Sequence, residues 1–500
     1  MNRKQDNIEY NNEKEEVTNK IKKIAFFNPQ GNFDKYDSHL TEHPDFGGQL
    51  VYVKELAKAI ASKGIEVDII TRQIVDDGWQ EFSELFDYYP DAPNVRIVRI
   101  PFGGNKFLRK EDLWPFLPDY VEKIIKLYEN EGKLPDFVTT HYGDGGISGV
   151  MFLAKTGTPF SFTGHSLGAW KFEKLSKGNE NLEDLEKKFR FSTRILAENL
   201  SIKYASFIVC STKQERYEQY SHKLYNADPY SEKFKVIPPG INTKIFKIQE
   251  EPHDKLIEEY ILRVFSNLPV NRQRLPFIIM SSRLDRKKNH ISVVKAFIEN
   301  QDLKQNANLI IVVRGVDNID NFVKKNSEES EIVKEIVEVA KSELNRSIFF
   351  LNITDQKSLA SLYRIGAKRG SVFVLPAIYE PFGLAIVEAA ACGLKVVATM
   401  NGGPSEILSD GEGLLVDPED TNDIALKLYI SLTKFSNEKS LELANKYSWE
   451  KTGELYLRYI GEVLESVKHK ENTSNIKTFT DEIEKDLNVF IKKIEKIKFI

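Results

Sequence analysis

Short apolar runs alternate with amphipathic helical patterns along most of the chain. In the first half, β-rich runs occur at KIAFF, EVDIITR, VRIVRI, PDFVTTH, PFSFTGH, FIVCST and FKVIPPG, and GGQLVYVKELAKAIASKG has helical spacing. The pattern restarts with LPFIIMSSR, LIIVVRG, SIFFL, SVFVLPA, KVVATM and GLLVDP, with helices expected from His290, around Glu329 to Leu344 and after Pro381. This alternation predicts an α/β protein with two doubly wound, Rossmann-like domains, each a parallel sheet with helices on both faces.

The length of the chain supports the same division. A chain of 500 residues is too long to fold around a single hydrophobic core, and its length suits two domains of roughly 200 to 250 residues each. We predict a polar arm over residues 1–20, an N-terminal domain over 21–246 and a C-terminal domain over 247–455. The linker is expected in the charged stretch from about Ile245 to Val270. Residues 456–500 combine helical spacing with an apolar face, so we expect helices that pack back on the N-terminal domain.

Composition and charge restrict the partners. A net charge of -4 gives no basic excess, so nucleic acid is not an expected partner. Cys210 and Cys392 are the two cysteines, each within an apolar run, which indicates core residues in a reducing compartment. The first 20 residues lack an apolar targeting segment, and no apolar stretch is long enough to cross a membrane. We therefore expect a cytoplasmic protein without a membrane partner.

Ligands of two facing doubly wound domains are expected in the cleft between them, at the carboxyl ends of the strands. The first strand runs into NPQGNF, which lacks the glycine spacing of a dinucleotide site, so a dehydrogenase is disfavoured. Instead, Phe46-Gly47-Gly48-Gln49 opens the first long helix, where free N–H groups can face an anion. The same pattern also occurs in an ordinary loop at a helix start.

Two cations follow a strand in the second half. Within SSRLDRKKN, Arg283 and Lys288 lie five residues apart, just beyond the strand. Arginine offers a planar fork to phosphate oxygens and lysine a point charge, so this pair suits a diphosphate. For Arg286 and Lys287, a solvated basic loop explains the sequence equally well.

Two glutamates mark the next strand end. Pro381 and Gly383 indicate a helix N-terminus directly after SVFVLPA, with Glu380 before it. Glu388 lies among apolar residues of that helix, where an unpaired carboxylate is costly. We expect a partner for Glu388, either the ribose diol of a nucleotide or a structural arginine.

These motifs resemble a known family. Two glutamates eight positions apart, with an arginine and a lysine upstream, are similar to the donor site of the retaining glycosyltransferases that include sucrose and glycogen synthases. More narrowly, DFGGQLVYVKELA, HYGDGG, TGHSLG, VIPPGIN, SSRLDRKKN, EPFGL and NGGPSEI together resemble the sucrose-phosphate synthases. The resemblance covers about residues 22 to 465 and implies the GT-B fold, with acceptor binding in the N-terminal domain and nucleotide-sugar binding in the C-terminal domain.

The resemblance also implies roles on the donor side. Glu388 would hold the ribose, Arg283 and Lys288 the diphosphate, and Glu380 the hydroxyls of the transferred sugar, while His165 would lie by the glycosidic carbon. The catalytic set is therefore His165, Arg283, Lys288 and Glu380. The donor-binding set is Gly48, Arg283, Lys288, Glu380, Phe382, Gly383, Leu384 and Glu388.

On the acceptor side, the resemblance implies seven residues: Gly48, Gln49, Lys106, Tyr142, Ser166, Lys171 and Arg194. The three cations among them would meet the 6-phosphate of fructose, and we expect that plain fructose would leave them unpaired. The sequence departs from the family pattern at Thr193, where a second basic residue is usual, and at Lys395, where proline is usual.

The implied reaction is retaining glucosyl transfer from UDP-glucose to fructose 6-phosphate, giving sucrose 6-phosphate and UDP. The nucleotide sugar would be a co-substrate, and we expect neither a tightly bound cofactor nor a metal ion. The alternatives are a mannosylfructose-phosphate synthase using GDP-mannose, a sucrose synthase using unphosphorylated fructose, and a non-catalytic sensor of nucleotide sugars. The partners would be small molecules, and a sucrose-phosphate phosphatase could act on the product.

Overall fold

A computed structural model of the chain describes residues 21–38, 48–176, 181–316, 318–470 and 476–497. The predicted N-terminal arm, together with Phe46 and Gly47, lies outside the described residues. The chain forms two compact units, one of Met1–Pro238 with Trp449–Ile500 and one of Pro239–Ser448. The domain ends predicted at 246 and 455 lie a few residues beyond these divisions.

The first unit contains an eight-stranded sheet with the order β3-β4-β2-β1-β5-β6-β7-β8. Neighbouring strands are parallel, except that β3 runs antiparallel to β4. Most strand residues are buried because helices cover both faces, as is usual for parallel sheets. The strands are β1 (Lys23–Phe27), β2 (Glu66–Arg72), β3 (Phe86–Tyr89), β4 (Ala92–Ile100), β5 (Phe137–His141), β6 (Phe160–Thr163), β7 (Phe207–Cys210) and β8 (Phe234–Val236).

Six helices lie between these strands, and two more at the C-terminus complete the unit. The inner six are α1 (Gly48–Ala61), α2 (Leu117–Glu131), α3 (Tyr142–Thr156), α4 (Gly168–Ser176), α5 (Leu182–Phe189) and α6 (Phe191–Tyr204). A π-helical turn spans Glu215–Tyr220.

The second unit contains a six-stranded parallel sheet with the order β11-β10-β9-β12-β13-β14. Its strands are β9 (Phe277–Met280), β10 (Asn308–Val313), β11 (Ile348–Asn352), β12 (Val372–Leu375), β13 (Lys395–Thr399) and β14 (Leu414–Val416). Its helices are α7 (His253–Val264), α8 (Val270–Gln273), α9 (His290–Glu299), α10 (Gln301–Asn306), α11 (Ile319–Phe322), α12 (Glu328–Ala340), α13 (Gln356–Lys368), α14 (Leu384–Ala391), α15 (Pro404–Ile407), α16 (Thr421–Thr433) and α17 (Glu438–Lys446).

The two C-terminal helices, α18 (Trp449–Lys470) and α19 (Ile476–Ile494), pack on the first unit, which confirms the expectation from their apolar spacing. Helix α18 lies against α1, and α19 lies against α3 and α6. Ile483 and Phe490 of α19 are buried in the same apolar cluster as the sheet residues. Lys203 anchors this helix by ion pairs of 2.7 Å to both Glu482 and Asp486.

Three local features differ from the predictions or were missed by them. Strand β3 was not predicted, because FDYY is a short edge strand whose residues are mostly exposed or half-buried. The stretch expected to be a less ordered linker holds helix α7, which buries Ile257 and Ile261 beneath its charged residues. Helix α14 begins at Leu384, three residues after Pro381, because Gly383 adopts a φ of 108° just before it.

Among the helices that the structure describes, none is long and apolar enough to cross a membrane. Ligands of doubly wound sheets bind at the carboxyl ends of the strands. Strands β9 and β12 are parallel neighbours in the second sheet, so the loops that follow them meet at one sheet edge.

Candidate active site

A lysine and a glutamate from two neighbouring loops form an ion pair in the second unit. Lys288 follows β9, and its Nζ donates to Oε2 of Glu380, which follows β12, at 2.6 Å. Both side chains are largely buried, with 20% and 12% of their surface exposed. The structure thus brings together one predicted diphosphate ligand and the predicted sugar ligand.

Backbone contacts fix the loops that carry this pair. The amide of Ile378 donates to the carbonyl of Lys287 at 2.8 Å. The side-chain nitrogen of Asn289 donates to the carbonyls of Pro376 and Pro418, at 3.1 and 2.7 Å, so it ties together the loops after β9, β12 and β14. Asn289 has a φ of 62°, a region that asparagine tolerates better than most residues. These bonds hold Lys288 and Glu380 at a defined separation.

The NGGPSEI loop after β13 packs directly on Glu380. The amide of Glu380 donates to the carbonyl of Asn401 at 3.1 Å, and the amide of Gly403 donates to the carbonyl of Glu380 at 2.9 Å. A Cβ atom on Gly402 would lie 2.1 Å from that carbonyl oxygen, and its φ is 98°. Only glycine allows this approach, so the loop positions Glu380 through its backbone.

Glu388 lies on α14, half-buried, one helix turn after the EPFGL motif. Its carboxylate forms no hydrogen bond or ion pair within the part of the chain that the structure describes. Burial raises the pKa of Glu388 to about 7. The partner that the sequence led us to expect is therefore not a structural arginine among the described residues, and the carboxylate remains available to a ligand.

The remaining residues predicted to bind the donor belong to three separate elements. Arg283 is exposed in the loop after β9, and its guanidinium has no hydrogen bond or ion pair among the described residues. Phe382 is buried, with its ring 5.6 Å from that of Tyr447, and Gly383 and Leu384 lead into α14. Gly48, also predicted on the donor side, begins α1 in the first unit.

His165 lies in the TGHSLG loop of the first unit with a φ of 55°, an uncommon backbone conformation for a residue other than glycine. Its Nε2 lies 2.9 Å from Nδ1 of the fully buried His141, whose Nε2 lies 3.2 Å from Oγ1 of Thr139. Burial lowers the pKa of His165 to about 3, and that of His141 falls well below its ordinary value. Both imidazoles are therefore uncharged near neutral pH.

The C-terminal helix α18 contacts His165 indirectly, through Tyr52. The ring of Tyr52 lies edge-on to that of His165, with centroids 4.9 Å apart, and Trp449 packs on Tyr52. The hydroxyl of Tyr456 lies 3.1 Å from that of Tyr52 and 3.0 Å from Oγ1 of Thr163. These contacts link α18 to the strand and loop that carry His165.

Arg194 is already paired, which corrects the expectation of three unpaired cations. It is buried on α6, and its Nε donates to Oε1 of Glu198 at 2.8 Å. Its Nη2 donates to the carbonyl of Ser166, and its guanidinium stacks 4.2 Å from the ring centre of Tyr142. Glu198, which is fully buried, also accepts from the amide of Gly168. Arg194 therefore brings little net charge to the site.

The other predicted acceptor residues differ in burial and in their contacts. Lys106 and Ser166 are exposed, and Lys171 is half-buried with its Nζ 4.4 Å from the ring centre of Phe189. Gln49 is held by its neighbours, since it donates to Asn28 at 2.7 Å and accepts from Gln30 at 2.8 Å. Tyr142 is buried at the start of α3 with a φ of 67°.

Tyr142 and Arg194 line a small pocket, which we call the Tyr142 pocket. Its lining residues are Lys110, Glu111, Trp114, Tyr142, Asp144, Phe189 and Arg194. Sequence reasoning missed Lys110, Trp114 and Asp144. The signals were present, because Asp144 belongs to HYGDGG and Lys110 lies four residues after Lys106. Lys110, with its Nζ 5.9 Å from the ring centre of Tyr142, is thus the lysine of this segment that reaches the pocket.

Two buried polar atoms of the Tyr142 pocket form no hydrogen bond with the residues that the structure describes. Oδ1 of Asp144 accepts from the amide of Gly145 at 2.9 Å, whereas Oδ2 of Asp144 and the indole nitrogen of Trp114 have no such partner. Asp144 and Trp114 expose only 2% and 3% of their surfaces. Burial raises the pKa of Asp144 to about 7. Unpaired buried polar atoms cost stability, so a ligand that satisfies them would gain affinity.

Comparisons with known proteins define the class. The family profile of glycosyl transferases group 1 matches residues 268–446, and that of the sucrose synthase first GT-B domain matches 16–261. Among solved structures, sucrose-phosphate synthase from Thermosynechococcus elongatus gives a TM-score of 0.66 at 23% identity, covering 89% of this chain and 100% of that one. HepE from Anabaena, solved in complex with UDP, gives 0.57 at 18% identity, with coverages of 89% and 100%. The fold is that of a GT-B glycosyltransferase.

Two curated relatives narrow this class. A probable sucrose-phosphate synthase from Thermosipho melanesiensis is 53% identical over 443 residues, which span 88% of this chain and 96% of the relative. The sucrose-phosphate synthase of Spinacia oleracea is 32% identical over 485 residues, and the chain spans 46% of its length. The chain belongs to the sucrose-phosphate synthase family. It is a hexosyltransferase, and the relatives favour glucosyl transfer that forms sucrose 6-phosphate over the two alternative enzymes.

Proposed function

We propose that the enzyme transfers glucose from UDP-glucose to fructose 6-phosphate with retention of configuration, releasing UDP and sucrose 6-phosphate. The observation that carries the proposal is the Lys288–Glu380 pair together with Glu388, which lies on the helix that follows Glu380 and has no hydrogen bond or ion pair among the described residues. Lys288 suits the diphosphate of a nucleotide sugar, and Glu380 suits the hydroxyls of its hexose. The carboxylate of Glu388 suits the ribose of the same molecule. HepE, which shares the fold, binds UDP.

The leaving group is stabilised by the cations after β9. As the bond between the anomeric carbon and the diphosphate breaks, negative charge grows on the diphosphate, and Lys288 and Arg283 meet that charge. Their interaction is stronger in the transition state than in the ground state, which is the condition for catalysis. The C2 hydroxyl of the acceptor forms the new bond on the same face of the sugar, and its proton passes to the departing phosphate.

His165 serves this step as a neutral group by the glycosidic carbon. Positive charge develops on the sugar as the donor bond breaks, and a protonated imidazole nearby would oppose it. Because the pKa of His165 is about 3, the ring stays uncharged at working pH. His141 and Tyr52 hold the ring in place without adding charge.

The acceptor would bind at the first unit, with its phosphate near Lys106, Lys171 and Arg194 as the resemblance implies. The Tyr142 pocket supports this assignment, because Lys110, Tyr142 and Arg194 supply polar and aromatic walls of the kind that bind a sugar phosphate. Gly48, Gln49 and Ser166 complete the proposed set. The phosphate gives charge-assisted hydrogen bonds that fructose itself cannot give.

The test is a turnover panel. UDP-glucose, ADP-glucose and GDP-mannose are each supplied with fructose 6-phosphate and with fructose, and the anomeric configuration of the product is read by NMR. We expect UDP-glucose with fructose 6-phosphate to exceed the fructose reaction by roughly 10²-fold in kcat/KM. Preference for GDP-mannose, or equal use of fructose, would favour the alternative enzymes, and binding of UDP without turnover would favour a sensor.

We also propose a cytoplasmic location, which the two free and buried cysteines, Cys210 and Cys392, support. A phosphatase that removes the phosphate of the product would be its functional partner. We expect the reaction to need no metal ion and no tightly bound cofactor, which dialysis against a chelator before the turnover assay would test.

A further inference from the structure

We propose that the C-terminal helix α19 is part of the acceptor site: Phe490 positions the indole of Trp114 in the Tyr142 pocket, where that indole and Asp144 hydrogen-bond hydroxyl groups of the acceptor sugar. Trp114 would donate its Nε1–H, and Asp144 would accept through Oδ2. The inference rests on the proposed function, since it takes the ligand of this pocket to be the phosphorylated ketose.

The first argument is the chemistry of the unpaired atoms. The indole nitrogen of Trp114 can only donate and an ionised carboxylate oxygen can only accept, and both atoms are buried in one pocket without a partner among the described residues. Buried atoms of this kind cost stability until a bound partner supplies their hydrogen bonds. A sugar hydroxyl both donates and accepts, so hydroxyls of one sugar can satisfy both atoms.

The second argument is the contact that fixes the indole. Trp114 lies in a 3-10 turn, Trp114–Phe116, between β4 and α2, and this turn leads directly into α2 at Leu117. The ring of Phe490 meets the indole edge-on, with centroids 6.3 Å apart, and Phe490 is fully buried. Trp114 also belongs to the buried apolar cluster of the first unit. Helix α19, which is remote in sequence from the pocket, therefore supplies one of the contacts that position the indole.

The third argument is that α19 is anchored independently of the pocket. Asp486 accepts from both Lys203 and the hydroxyl of Tyr204, each at 2.7 Å, on the opposite end of α6 from Arg194. Ile483 and Ile494 are buried in the apolar core of the first unit. Helix α19 is thus a fixed support against which the Trp114 turn can pack.

Five variants of the chain test the proposal. Trp114→Phe removes the N–H but keeps an aromatic ring, and Asp144→Asn removes the charge at nearly constant size. Phe490→Ala removes the support, and Phe490→Leu restores an apolar side chain at that position. Phe479→Ala is the matched control, because Phe479 lies on the same helix but contacts Tyr204 instead. For each, KM for fructose 6-phosphate, kcat, the Kd of UDP and Tm are measured.

We expect Trp114→Phe and Asp144→Asn each to raise KM for fructose 6-phosphate by roughly tenfold, since a lost hydrogen bond of about 1.4 kcal/mol is a factor of ten. The Kd of UDP should stay within twofold in both variants. Asp144→Asn should not lower Tm, because it removes a buried charge at nearly constant size, whereas Trp114→Phe should lower Tm slightly, because the smaller ring leaves space in a buried site. Phe490→Ala should raise the same KM, Phe490→Leu should restore most of it, and Phe479→Ala should leave it unchanged.

Three outcomes would overturn the proposal. An unchanged KM in Trp114→Phe and Asp144→Asn would show that neither atom contacts the acceptor. Equal effects of Phe490→Ala and Phe479→Ala would show that α19 only stabilises the fold and does not position Trp114. If the wild-type enzyme fails to use fructose 6-phosphate, the proposed function is wrong and this inference falls with it. If the wild-type enzyme uses fructose 6-phosphate but the variants have an unchanged KM, only the inference is wrong.

Discussion

Replacing Glu388 by glutamine should stabilise the free enzyme while weakening its hold on UDP. The Glu388 carboxylate is half-buried with no protein partner among the described residues, and its pKa rises from 4.5 to about 7. Holding the ionised form in this position costs on the order of 3 kcal/mol, since a tenfold change in proton affinity is about 1.36 kcal/mol. Glutamine has nearly the same shape and carries no charge, so it escapes that cost.

The pH dependence of this effect has a definite sign. Unfolded Glu388 loses its proton above about pH 4.5, whereas the folded protein keeps it until about pH 7. Between these values the folded state binds more protons, so the contribution of Glu388 to the free energy of unfolding falls as pH rises. Glu388→Gln should therefore match wild type near pH 4 and exceed it by up to about 3 kcal/mol at pH 8.

Glu388→Gln should weaken the binding of UDP although it stabilises the free enzyme. Hydrogen bonds from the two ribose hydroxyls to a carboxylate are worth about 1.5 to 3 kcal/mol, so the Kd of UDP at pH 8 should rise by roughly 10- to 100-fold. Titration calorimetry with UDP gives the affinity, and urea unfolding gives the stability. Glu419→Gln, a change at an exposed glutamate in the same unit, is the control. An unchanged Kd in Glu388→Gln, or a variant less stable than wild type at pH 8, would refute the reasoning.

Two further predictions concern the acceptor. Arg194→Ala should lower kcat/KM for fructose 6-phosphate by roughly 10²-fold, while the Kd of UDP stays within twofold. The same change should lower Tm, because Glu198 is left buried without its cation. Loss of UDP affinity instead would contradict the assignment of Arg194 to the acceptor. Lys110→Ala should raise KM for fructose 6-phosphate by more than Lys106→Ala does, because Lys110 lines the Tyr142 pocket and Lys106 is exposed; steady-state kinetics of the two variants decide, and a larger effect of Lys106→Ala would restore the choice made from sequence.

Much of the fold was accessible from sequence, because a parallel sheet covered on both faces leaves continuous apolar runs such as FIIM and NLIIVV. The exceptions have physical causes. Strand β3 is an edge strand with little to bury, and α7 carries five charged residues that obscure its buried face. The Lys288–Glu380 contact could be inferred only through topology, because 92 residues separate the partners and only parallel neighbouring strands bring them together.

The acceptor side shows why a count of cations in a motif is a poor measure of charge at a site. Glu198 lies one helix turn after Arg194, a spacing at which opposite charges commonly pair, and the structure joins them at 2.8 Å. Glu198 is fully buried and pairs with no other cation among the described residues, so the pair is close to neutral and orients Arg194 toward Ser166 and Tyr142. Selection of a phosphorylated acceptor by charge would then fall mainly on the lysines, whereas Arg194 would contribute direction through its remaining N–H groups. Fructose would leave these N–H groups unsatisfied but would not leave a bare buried charge, which is why we set the expected preference near 10²-fold and not higher.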